Sequence, residues 1–289
     1  MTSIQSAVEF RQNLSPVIEN LLVARNLRGM QQAQLALTPG YCLRAAQLLQ
    51  NARGQILIGT GFPVADTFET DGPVGAIALY ECLVSLGASP ILICGQPLSQ
   101  ALSERYRVQE LQINHPAQRH AEAHHILSQF EPGLVISIER PGLTADGDYY
   151  NMRGESIGAR AACFDIIVDQ CQCPTIGIGD GGNEIGMGKV QHALQNLSII
   201  PAVTSCDELV VADVSNWGVY GIIACLSLCY RRDLLAPIIP LTILQYLSSL
   251  GSVDGVTRMN ELTEDGFPVT VGENLLLQLR KVCGLLQED

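Results

Sequence analysis

Basic residues are scarce in this sequence: 17 Lys and Arg stand against 29 Asp and Glu, which gives a formal net charge of −12. A protein that binds a nucleic-acid duplex needs a basic stripe to meet the phosphates, and the sequence contains none. We therefore expect no nucleic-acid partner. The acidic balance favours a soluble protein that acts on a small molecule.

Long apolar runs are also missing. The longest, Trp217 to Tyr230, is too short to span a bilayer and indicates a buried helix. The N-terminal residues lack the apolar core of a secretory signal, so we expect neither export nor a membrane partner. The ten cysteines are scattered through apolar runs, which is typical of core packing in a reducing, cytoplasmic compartment.

Patterns for several common kinds of active site are absent as well. Cys171 and Cys173 form a lone C-x-C with no second pair, and the five histidines share no ligand spacing. We therefore expect no zinc, and no haem. Neither a Ser-His-Asp nor a Cys-His set is apparent, which makes a covalent nucleophilic mechanism the weaker interpretation.

Short apolar runs alternate with helical stretches from Gln55 onward. Strands rich in Ile, Val and Leu that alternate with helices predict a parallel sheet covered on both faces. Six strands are predicted, at Gln55–Gly59, Pro90–Cys94, Glu110–Ile113, Gly133–Ile138, Thr175–Ile178 and Glu208–Ala212. Helices are predicted between them near 73–87, 97–107, 117–130, 155–170 and 186–196, and after them at Trp217–Arg232, Leu241–Leu250 and Glu273–Gln287.

The predicted fold class is therefore α/β. We expect a doubly wound, mostly parallel sheet of six strands with helices on both faces, a Rossmann-like three-layer arrangement with extra N- and C-terminal helices. No linker, repeat or low-complexity tract interrupts the chain. A single domain over residues 1–289 is expected, with an N-terminal helical segment 1–52, a sheet-forming core 53–232 and C-terminal helices 233–289.

The most unusual stretch is PTIGIGDGGNEIGMGKV, residues 174–190, in which six glycines surround charged side chains. Glycines at this density destabilise helix and strand interiors, and a folded protein keeps them where the backbone takes positive φ or approaches a ligand. Buried charges are costly unless they are paired or bind something. We interpret the stretch as the floor of a binding site; the plainer alternative is a tight strand-to-helix connection with its acids in water.

Polar loops follow three other predicted strands. The first strand leads into GTGFPVADTFETDGP, the fourth into ERPGLTADGDYYNMRG and the sixth into DVSNWG. Because the carboxyl ends of parallel strands lie on one edge of a sheet, where ligands bind, the four loops predict one shared site.

Two phosphate-binding motifs fit the glycine stretch poorly. Gly177, Gly179 and Gly182 match G-x-G-x-x-G by letters, but no acid ends the next strand, and Asp180 would place negative charge beside a pyrophosphate. The Walker A loop fails because Asn183 stands where glycine is required and Val190 where Ser or Thr is required. We therefore expect no NAD.

The four loops carry residues suited to acid–base chemistry on a small carboxylate-bearing metabolite. Basic side chains bind carboxylates, carboxylates move protons or hold a divalent metal, and amides donate to an oxyanion. The predicted catalytic residues are Glu69, Asp71, Asp180 and Glu184, of which Asp180 and Glu184 are also the predicted ligands of Mn²⁺ or Mg²⁺. The predicted substrate-binding residues are Gly59, Thr60, Gly61, Glu139, Arg140, Arg153, Gly181, Gly182, Asn183, Lys189, Asn216 and Trp217.

Four stretches carry a resemblance to a known family: GTGFPVADTFETDGPVGA (59–76), ERPGLTADGDYYNMRG (139–154), GIGDGGNEIGMGKV (177–190) and VSNWGVYG (214–221). They resemble the C-terminal domain of D-glutamate cyclase and its stand-alone bacterial relatives. The resemblance implies a carbon–oxygen lyase that converts D-glutamate to 5-oxo-D-proline and water by lactam closure, with a divalent metal such as manganese. Residue chemistry then gives Arg140 and Arg153 the carboxylate clamp, and Asp180 and Glu184 the acid–base or metal role.

Two other interpretations stay open. Animal members of the family carry a separate N-terminal domain before this region, so the chain is alternatively a non-catalytic domain that binds an amino acid or nucleotide and needs a partner domain. A homo-oligomer is a related expectation. The third interpretation is a phosphotransferase that uses the glycine loops for phosphate, although the crowded acids oppose phosphate unless a metal bridges them.

Overall fold

Six parallel strands form the central sheet of the structure, a computed structural model that describes residues 3–113 and 115–286. All six predicted strands are confirmed, with ends that differ by no more than two residues. The strands in chain order are β1 (Gln55–Thr60), β2 (Pro63–Val64), β3 (Thr67–Phe68), β4 (Ser89–Gly95), β5 (Val108–Leu111), β6 (Pro132–Ile138), β7 (Thr175–Gly179), β8 (Glu208–Val211), β9 (Thr263–Glu264) and β10 (Phe267–Pro268).

The order of strands in the central sheet is β5-β4-β1-β6-β7-β8, and every neighbouring pair is parallel. The chain starts at the centre with β1, winds outward to β5, and then returns to β6 and winds outward to β8. Its direction reverses between β1 and β6, so the connections after these two strands diverge. A crevice therefore opens between their carboxyl ends, which is where doubly wound sheets bind ligands.

Helices cover both faces of the sheet, as predicted for a three-layer α/β fold. Ile56 and Ile58 of β1 belong to a large core that includes buried side chains of three helices, at Tyr41–Asn51, Pro73–Ser85 and Ser215–Tyr230. Leu57 packs on the other face with the helices at Pro116–Phe130 and Asp165–Gln170. The helices are α1 (Ser3–Leu22), α2 (Met30–Leu35), α3 (Tyr41–Asn51), α4 (Pro73–Ser85), α5 (Leu98–Leu102), α6 (Pro116–Phe130), α7 (Asp165–Gln170), α8 (Gln191–Leu194), α9 (Ser215–Tyr230), α10 (Pro240–Ser249) and α11 (Val269–Val282).

Three predicted helices are wrong in extent. The helix predicted near 155–170 exists only as α7, the one near 97–107 only as α5, and the one near 186–196 as a 3-10 turn at Met187–Val190 followed by α8. In the first case side chains compete for the backbone, since Asn151 Oδ1 accepts from the amides of Arg153 and Glu155 and Asp148 accepts from Ser156. The last helix, predicted at Glu273–Gln287, is shifted toward the N-terminus and runs from Val269 to Val282; Gln287 itself lies outside the described residues.

Two short antiparallel hairpins, β2–β3 and β9–β10, lie outside the central sheet. The segment before the second hairpin returns to the first, because the Thr70 amide donates to the Val253 carbonyl at 2.9 Å and the Val253 amide to the Phe68 carbonyl at 3.0 Å. Residues late in the chain thus reach the carboxyl edge of the sheet. Within residues 3–113 and 115–286, no helix combines the length and apolar character that a membrane crossing requires.

Candidate active site

A cavity of about 410 Å³ lies at the carboxyl edge of the sheet, within the size range of small-molecule sites. The loops that follow β1, β6 and β7 line it together with Arg28 and the segment 255–265, which come from outside the sheet. The lining residues are Arg28, Phe62, Pro63, Val64, Ala65, Glu69, Glu139, Asn151, Met152, Arg153, Glu155, Arg160, Asp180, Asn183, Gly255, Val256, Arg258 and Asp265.

Five carboxyl groups form a buried acidic cluster at this cavity, and all but one of their side chains line it. Asp71, Glu139 and Asp180 each offer a carboxylate oxygen, and these three atoms lie within 4.8 Å of one another. Three of the four predicted catalytic residues therefore come together with a predicted substrate-binding residue. The members of the acidic cluster are Glu69, Asp71, Glu139, Asp180 and Asp265.

Burial raises the pKa values of four members of the acidic cluster, Glu69, Asp71, Glu139 and Asp180. The pKa of Glu69 stands well above its usual value because of burial and the charges of Asp265 and Asp71. Burial and the charge of Glu184 raise the pKa of Glu139 in the same direction, and burial followed by the charge of Asp265 raises the pKa of Asp71 to about 6. The raised pKa values favour the protonated forms of Glu69 and Glu139, which suits these groups to donate protons as well as accept them.

Arg28, in the turn between α1 and α2, neutralises part of the acidic cluster. Its Nη2 donates to Asp180 Oδ2 at 2.7 Å, to the Asp213 carbonyl oxygen at 2.8 Å, and to Asp265. Burial alone would lower the pKa of Arg28, but the charges of Asp180 and Asp265 hold it above its usual value. The guanidinium therefore stays charged, and its charge opposes the effect of burial on the pKa of Asp180.

The amino end of α9 also faces the acidic cluster. The Ser215 amide donates to Asp71 Oδ2 at 2.9 Å and to Asp180 Oδ2 at 3.1 Å, and the Ser215 hydroxyl donates to Glu139 Oε2 at 2.5 Å. Asp71 Oδ1 accepts from the Gly72 and Asn216 amides, both at 2.8 Å. The positive end of the helix thus stabilises negative charge, and Asp71 is fixed behind the cavity wall.

Glu184 braces the glycine-rich loop after β7. Its Oε1 accepts from the Gly181 amide at 2.9 Å and its Oε2 from the Gly182 amide at 2.8 Å. Gly182 has a φ of 106°, and a Cβ at this position would lie 2.3 Å from a side-chain carbon of Ile199. Of the predicted metal pair, Asp180 belongs to the group of close carboxylate oxygens with Asp71 and Glu139, whereas both Glu184 oxygens accept hydrogen bonds from the loop backbone.

Asn183 is the one amide side chain of the glycine-rich loop at the cavity. Its Nδ2 donates to the Tyr150 carbonyl at 2.9 Å. Its Oδ1 is buried and has no hydrogen-bond partner among the described residues. Since buried polar atoms are normally paired, this oxygen is an acceptor suited to a donor group of a ligand.

Three positively charged residues, Arg153, Arg160 and Arg258, also line the cavity, and we call them the basic arginines. Arg153 donates to the Val256 carbonyl at 3.3 Å, Arg160 donates to the Ala65 carbonyl, and Arg258 pairs with Glu155 at 2.9 Å. Arginine binds carboxylates through several parallel donors. The cavity therefore offers groups for both anionic and cationic parts of one ligand.

Arg140 does not reach this cavity, contrary to the predicted carboxylate clamp. Its guanidinium is buried and donates to the backbone carbonyls of Thr60 at 3.1 Å and Gly61 at 3.3 Å, and also to that of Ala162. Burial lowers the pKa of Arg140. The side chain fastens the loop after β1 to the loop after β6, so its role is to hold the cavity wall.

Lys189 lies at the opposite edge of the sheet. Its exposed ammonium donates to the Cys206 and Asp207 carbonyls, at 3.2 Å and 2.6 Å, and these residues directly precede β8. Parallel strands point all their amino ends to one edge, so a residue beside the start of β8 is remote from the cavity. The structure therefore does not bring Lys189 to the predicted site.

Asn216 and Trp217 support the cavity from behind. Asn216 Oδ1 accepts from the Gly72 and Gly75 amides at the start of α4, and Trp217 packs against Phe267 with ring centroids 5.5 Å apart. The other predicted substrate-binding residues are not among the described residues that line the cavity: Gly59, Thr60, Gly61, Gly181 and Gly182. At Gly59 a Cβ would lie 2.3 Å from the Phe164 ring.

The donor set of the acidic cluster fits a divalent cation. Asp71, Glu139 and Asp180 supply close, buried carboxylate oxygens, and hard cations such as Mn²⁺ and Mg²⁺ prefer oxygen ligands. The five carboxyl groups are paired with one arginine, Arg28, so the deprotonated cluster carries a net negative charge that a cation can balance. Glu139 is also held at a φ of 45°, a conformation uncommon for residues other than glycine and frequent at functional sites.

Two comparisons of the sequence with known proteins point to one family. A sequence profile described as D-glutamate cyclase-like, C-terminal, matches residues 18–280. Human mitochondrial D-glutamate cyclase is 33% identical in an alignment of 216 residues that covers 65% of this chain and 35% of that protein. The chain thus spans about a third of the length of this relative.

Two similar solved structures add no functional information, because their TM-scores are below 0.5. An exopolyphosphatase-related protein from Bacteroides fragilis has a TM-score of 0.41 and 9% identity, over 86% of this chain and 62% of that chain. The aldohexose dehydrogenase of Thermoplasma acidophilum has a TM-score of 0.26 and 12% identity, over 83% and 91%. The family profile, in contrast, extends over most of the sequence, and this protein belongs to the D-glutamate cyclase-like C-terminal family.

Proposed function

We propose that this protein is a carbon–oxygen lyase that converts D-glutamate to 5-oxo-D-proline and water by intramolecular lactam formation. The observation that carries the proposal is a single cavity in which buried carboxylates and four arginines face the same space. Glutamate is a zwitterion with one ammonium and two carboxylates, so it is complementary to such a cavity. Membership of the D-glutamate cyclase-like family supports the same substrate.

The acidic cluster is suited to the proton transfers of this reaction. The amine nitrogen forms a bond to the γ-carboxyl carbon, one carbon–oxygen bond breaks, and two protons of the ammonium leave with that oxygen as water. Asp180, beside the positive charge of Arg28, is the proposed base. Glu69, whose pKa is raised by burial and which lies outside the close group of Asp71, Glu139 and Asp180, is the proposed proton donor to the departing oxygen.

A divalent cation, Mn²⁺ or Mg²⁺, is part of the proposal. Asp71, Glu139 and Asp180 would hold it, in place of the pair of Asp180 and Glu184 expected from the sequence. Such an ion would supply Lewis-acid polarisation of a carboxyl oxygen of the substrate. The basic arginines would bind a substrate carboxylate at the same time. Of the two predicted clamp residues, Arg153 therefore keeps this role and Arg140 does not.

The second candidate function is a non-catalytic domain that binds a glutamate-like acid. One observation favours it: the chain spans about a third of the human relative, so further groups could be supplied by a partner domain or a second copy. We also propose a cytoplasmic location and a single α/β domain. The ten free cysteines, none of them in a disulfide, support a reducing compartment.

Proton NMR with purified protein tests the proposal. D-glutamate, L-glutamate and 5-oxoproline are each incubated with and without Mn²⁺, beside Asp180→Asn and the control Lys189→Met. We expect 5-oxoproline to form from D-glutamate, to be lost in Asp180→Asn, and to be unchanged in Lys189→Met, whose side chain lies at the far edge of the sheet. Binding of D-glutamate without any product would favour the second candidate, and neither binding nor product would refute both.

A further inference from the structure

Among the described residues, the side chain of Arg28 is anchored through one of its three nitrogens. Its three hydrogen bonds to the described residues all start from Nη2. Nε is buried and has no partner in the described part of the chain. One fifth of the side chain is exposed, and Arg28 lines the cavity. Because a guanidinium has five N–H donors and keeps its charge, the unpaired donors are suited to an anionic oxygen of a ligand.

The partners of Arg28 complete a site for an α-amino acid group. Asp180 Oδ2 lies 2.7 Å from Arg28 Nη2, so a cationic and an anionic group stand side by side at the cavity. An α-amino acid carries its amino and carboxylate groups on one carbon and presents the complementary pair at a similarly short separation. Asn183 Oδ1, the unpaired acceptor in the same loop as Asp180, is suited to an amino hydrogen.

Arg28 differs from the other arginines near the site in ways that matter for this role. The basic arginines come from exposed or half-buried positions of two surface loops, 151–160 and 255–258. Arg140 is engaged with backbone carbonyls. Only Arg28, of the described arginines, is paired with a member of the acidic cluster, which places it next to the group that must face the substrate's amine.

We infer that Arg28 binds the α-carboxylate of the substrate while Asp180 and Asn183 face its α-amino group. The basic arginines are then left for the second carboxylate. The inference rests on the proposed function and deepens it by naming the substrate class: molecules with a free α-amino group and a free α-carboxylate on one carbon. It also gives the carboxylate clamp to a residue outside the four polar loops that follow the strands.

Two ligands that differ by one group test the inference. 4-Aminobutanoate is glutamate without the α-carboxylate, and glutarate is glutamate without the amine. Their affinities for the full chain, with D-glutamate and L-glutamate, are measured by isothermal titration calorimetry for the wild type, Arg28→Lys and Arg28→Met. The matched control is Arg280→Met, because Arg280 is also a partly buried arginine in an ion pair, with Asp233 at 2.8 Å, and does not line the cavity.

We expect both Arg28 variants to bind D-glutamate roughly 10- to 100-fold more weakly than the wild type, which corresponds to the loss of a hydrogen bond to a charged group. Their affinity for 4-aminobutanoate should be unchanged, since this ligand lacks the carboxylate that Arg28 would bind. Arg280→Met should bind every ligand as the wild type does. Arg28→Met leaves buried carboxylates without their partner and can fail to fold, whereas Arg28→Lys keeps the charge and carries the test alone.

Equal weakening of D-glutamate and 4-aminobutanoate in Arg28→Lys would show a purely structural role and overturn the inference. So would a wild type that binds neither enantiomer of glutamate more tightly than 4-aminobutanoate. The proposed function fails separately, when D-glutamate binds the wild type with the expected dependence on Arg28 but no 5-oxoproline forms. In that case the α-amino acid site stands and the lyase activity does not.

Discussion

Glu264 provides a test of how burial controls ionisation beside the site. It lies in β9 with 1% of its surface exposed, and its Oε1 accepts from Asn216 Nδ2 at 2.8 Å. Burial, followed by the charge of Asp71, raises the pKa of Glu264 from 4.5 to about 8. The native protein therefore keeps this carboxyl group protonated at neutral pH, where the unfolded chain has lost the proton.

The sign of the pH dependence follows from this difference. Because the pKa is higher in the folded state, the contribution of Glu264 to stability is complete below pH 4.5 and is lost as the pH rises through 8. At about 1.4 kcal/mol for each pH unit between these two values, the loss amounts to roughly 5 kcal/mol. Glu264→Gln replaces a neutral acid by a neutral amide of the same shape and removes the titration.

Urea unfolding in the presence of EDTA measures this effect at pH 5 and at pH 8.5. We expect the free energy of unfolding of Glu264→Gln, relative to the wild type, to rise by roughly 3–5 kcal/mol between the two pH values. The control is Glu104→Gln, an exposed glutamate, whose difference from the wild type should stay constant. A constant difference for Glu264→Gln as well would refute the reasoning, because it would mean that the carboxyl group titrates alike in both states.

Arg140→Met should lower the free energy of unfolding by about 2–4 kcal/mol, because it leaves three backbone carbonyls without their donor; an unchanged urea midpoint would contradict the wall role. Mn²⁺ should raise the melting temperature of the wild type more at pH 8 than at pH 6, since metal and protons compete for the same carboxylates. Asp180→Asn should lose most of that rise, and a full rise in this variant would argue against the triad. Gly182→Ala should destabilise the protein by about 1–3 kcal/mol more than Gly87→Ala, measured by calorimetry, because both glycines have positive φ but only Gly182 is pressed against a side chain.

The sheet was predictable because its signals are local. Each strand is a short apolar run bounded by turn residues, and the six strands appear where those runs lie. The gathering of Glu69, Asp71, Glu139 and Asp180 follows from the same pattern, since parallel strands bring the loops after them to one edge. The predicted helix extent is wrong where side-chain hydrogen bonds to the backbone decide the conformation, as around Asn151.

Arg28 and Asp265 could not be found in this way. Each lies in a turn whose sequence shows only that a turn is present: Asn26 and Gly29 flank Arg28 with positive φ, and Asp265 itself has a φ of 52°. Their importance comes from a contact between distant parts of the chain, which no local pattern encodes. Arg140, in contrast, is predicted at the site but does not belong to it. It follows β6 at the correct edge of the sheet, but its buried side chain donates to backbone carbonyls.

The contact between Arg28 and Asp265 has a consequence for how the site is acquired during folding. The two residues are 237 positions apart, and Asp265 follows all six strands of the central sheet in the chain. During synthesis, which proceeds from the N-terminus, the whole sheet and the glycine-rich loop leave the ribosome before Asp265 does. A nascent chain that stops short of β9 can therefore have its strands paired while Arg28 still lacks one of its two acidic partners. The cavity is complete only when the contact between Arg28 and Asp265 closes a very long loop, and this step requires the β9–β10 hairpin, which is the last hairpin to be synthesised.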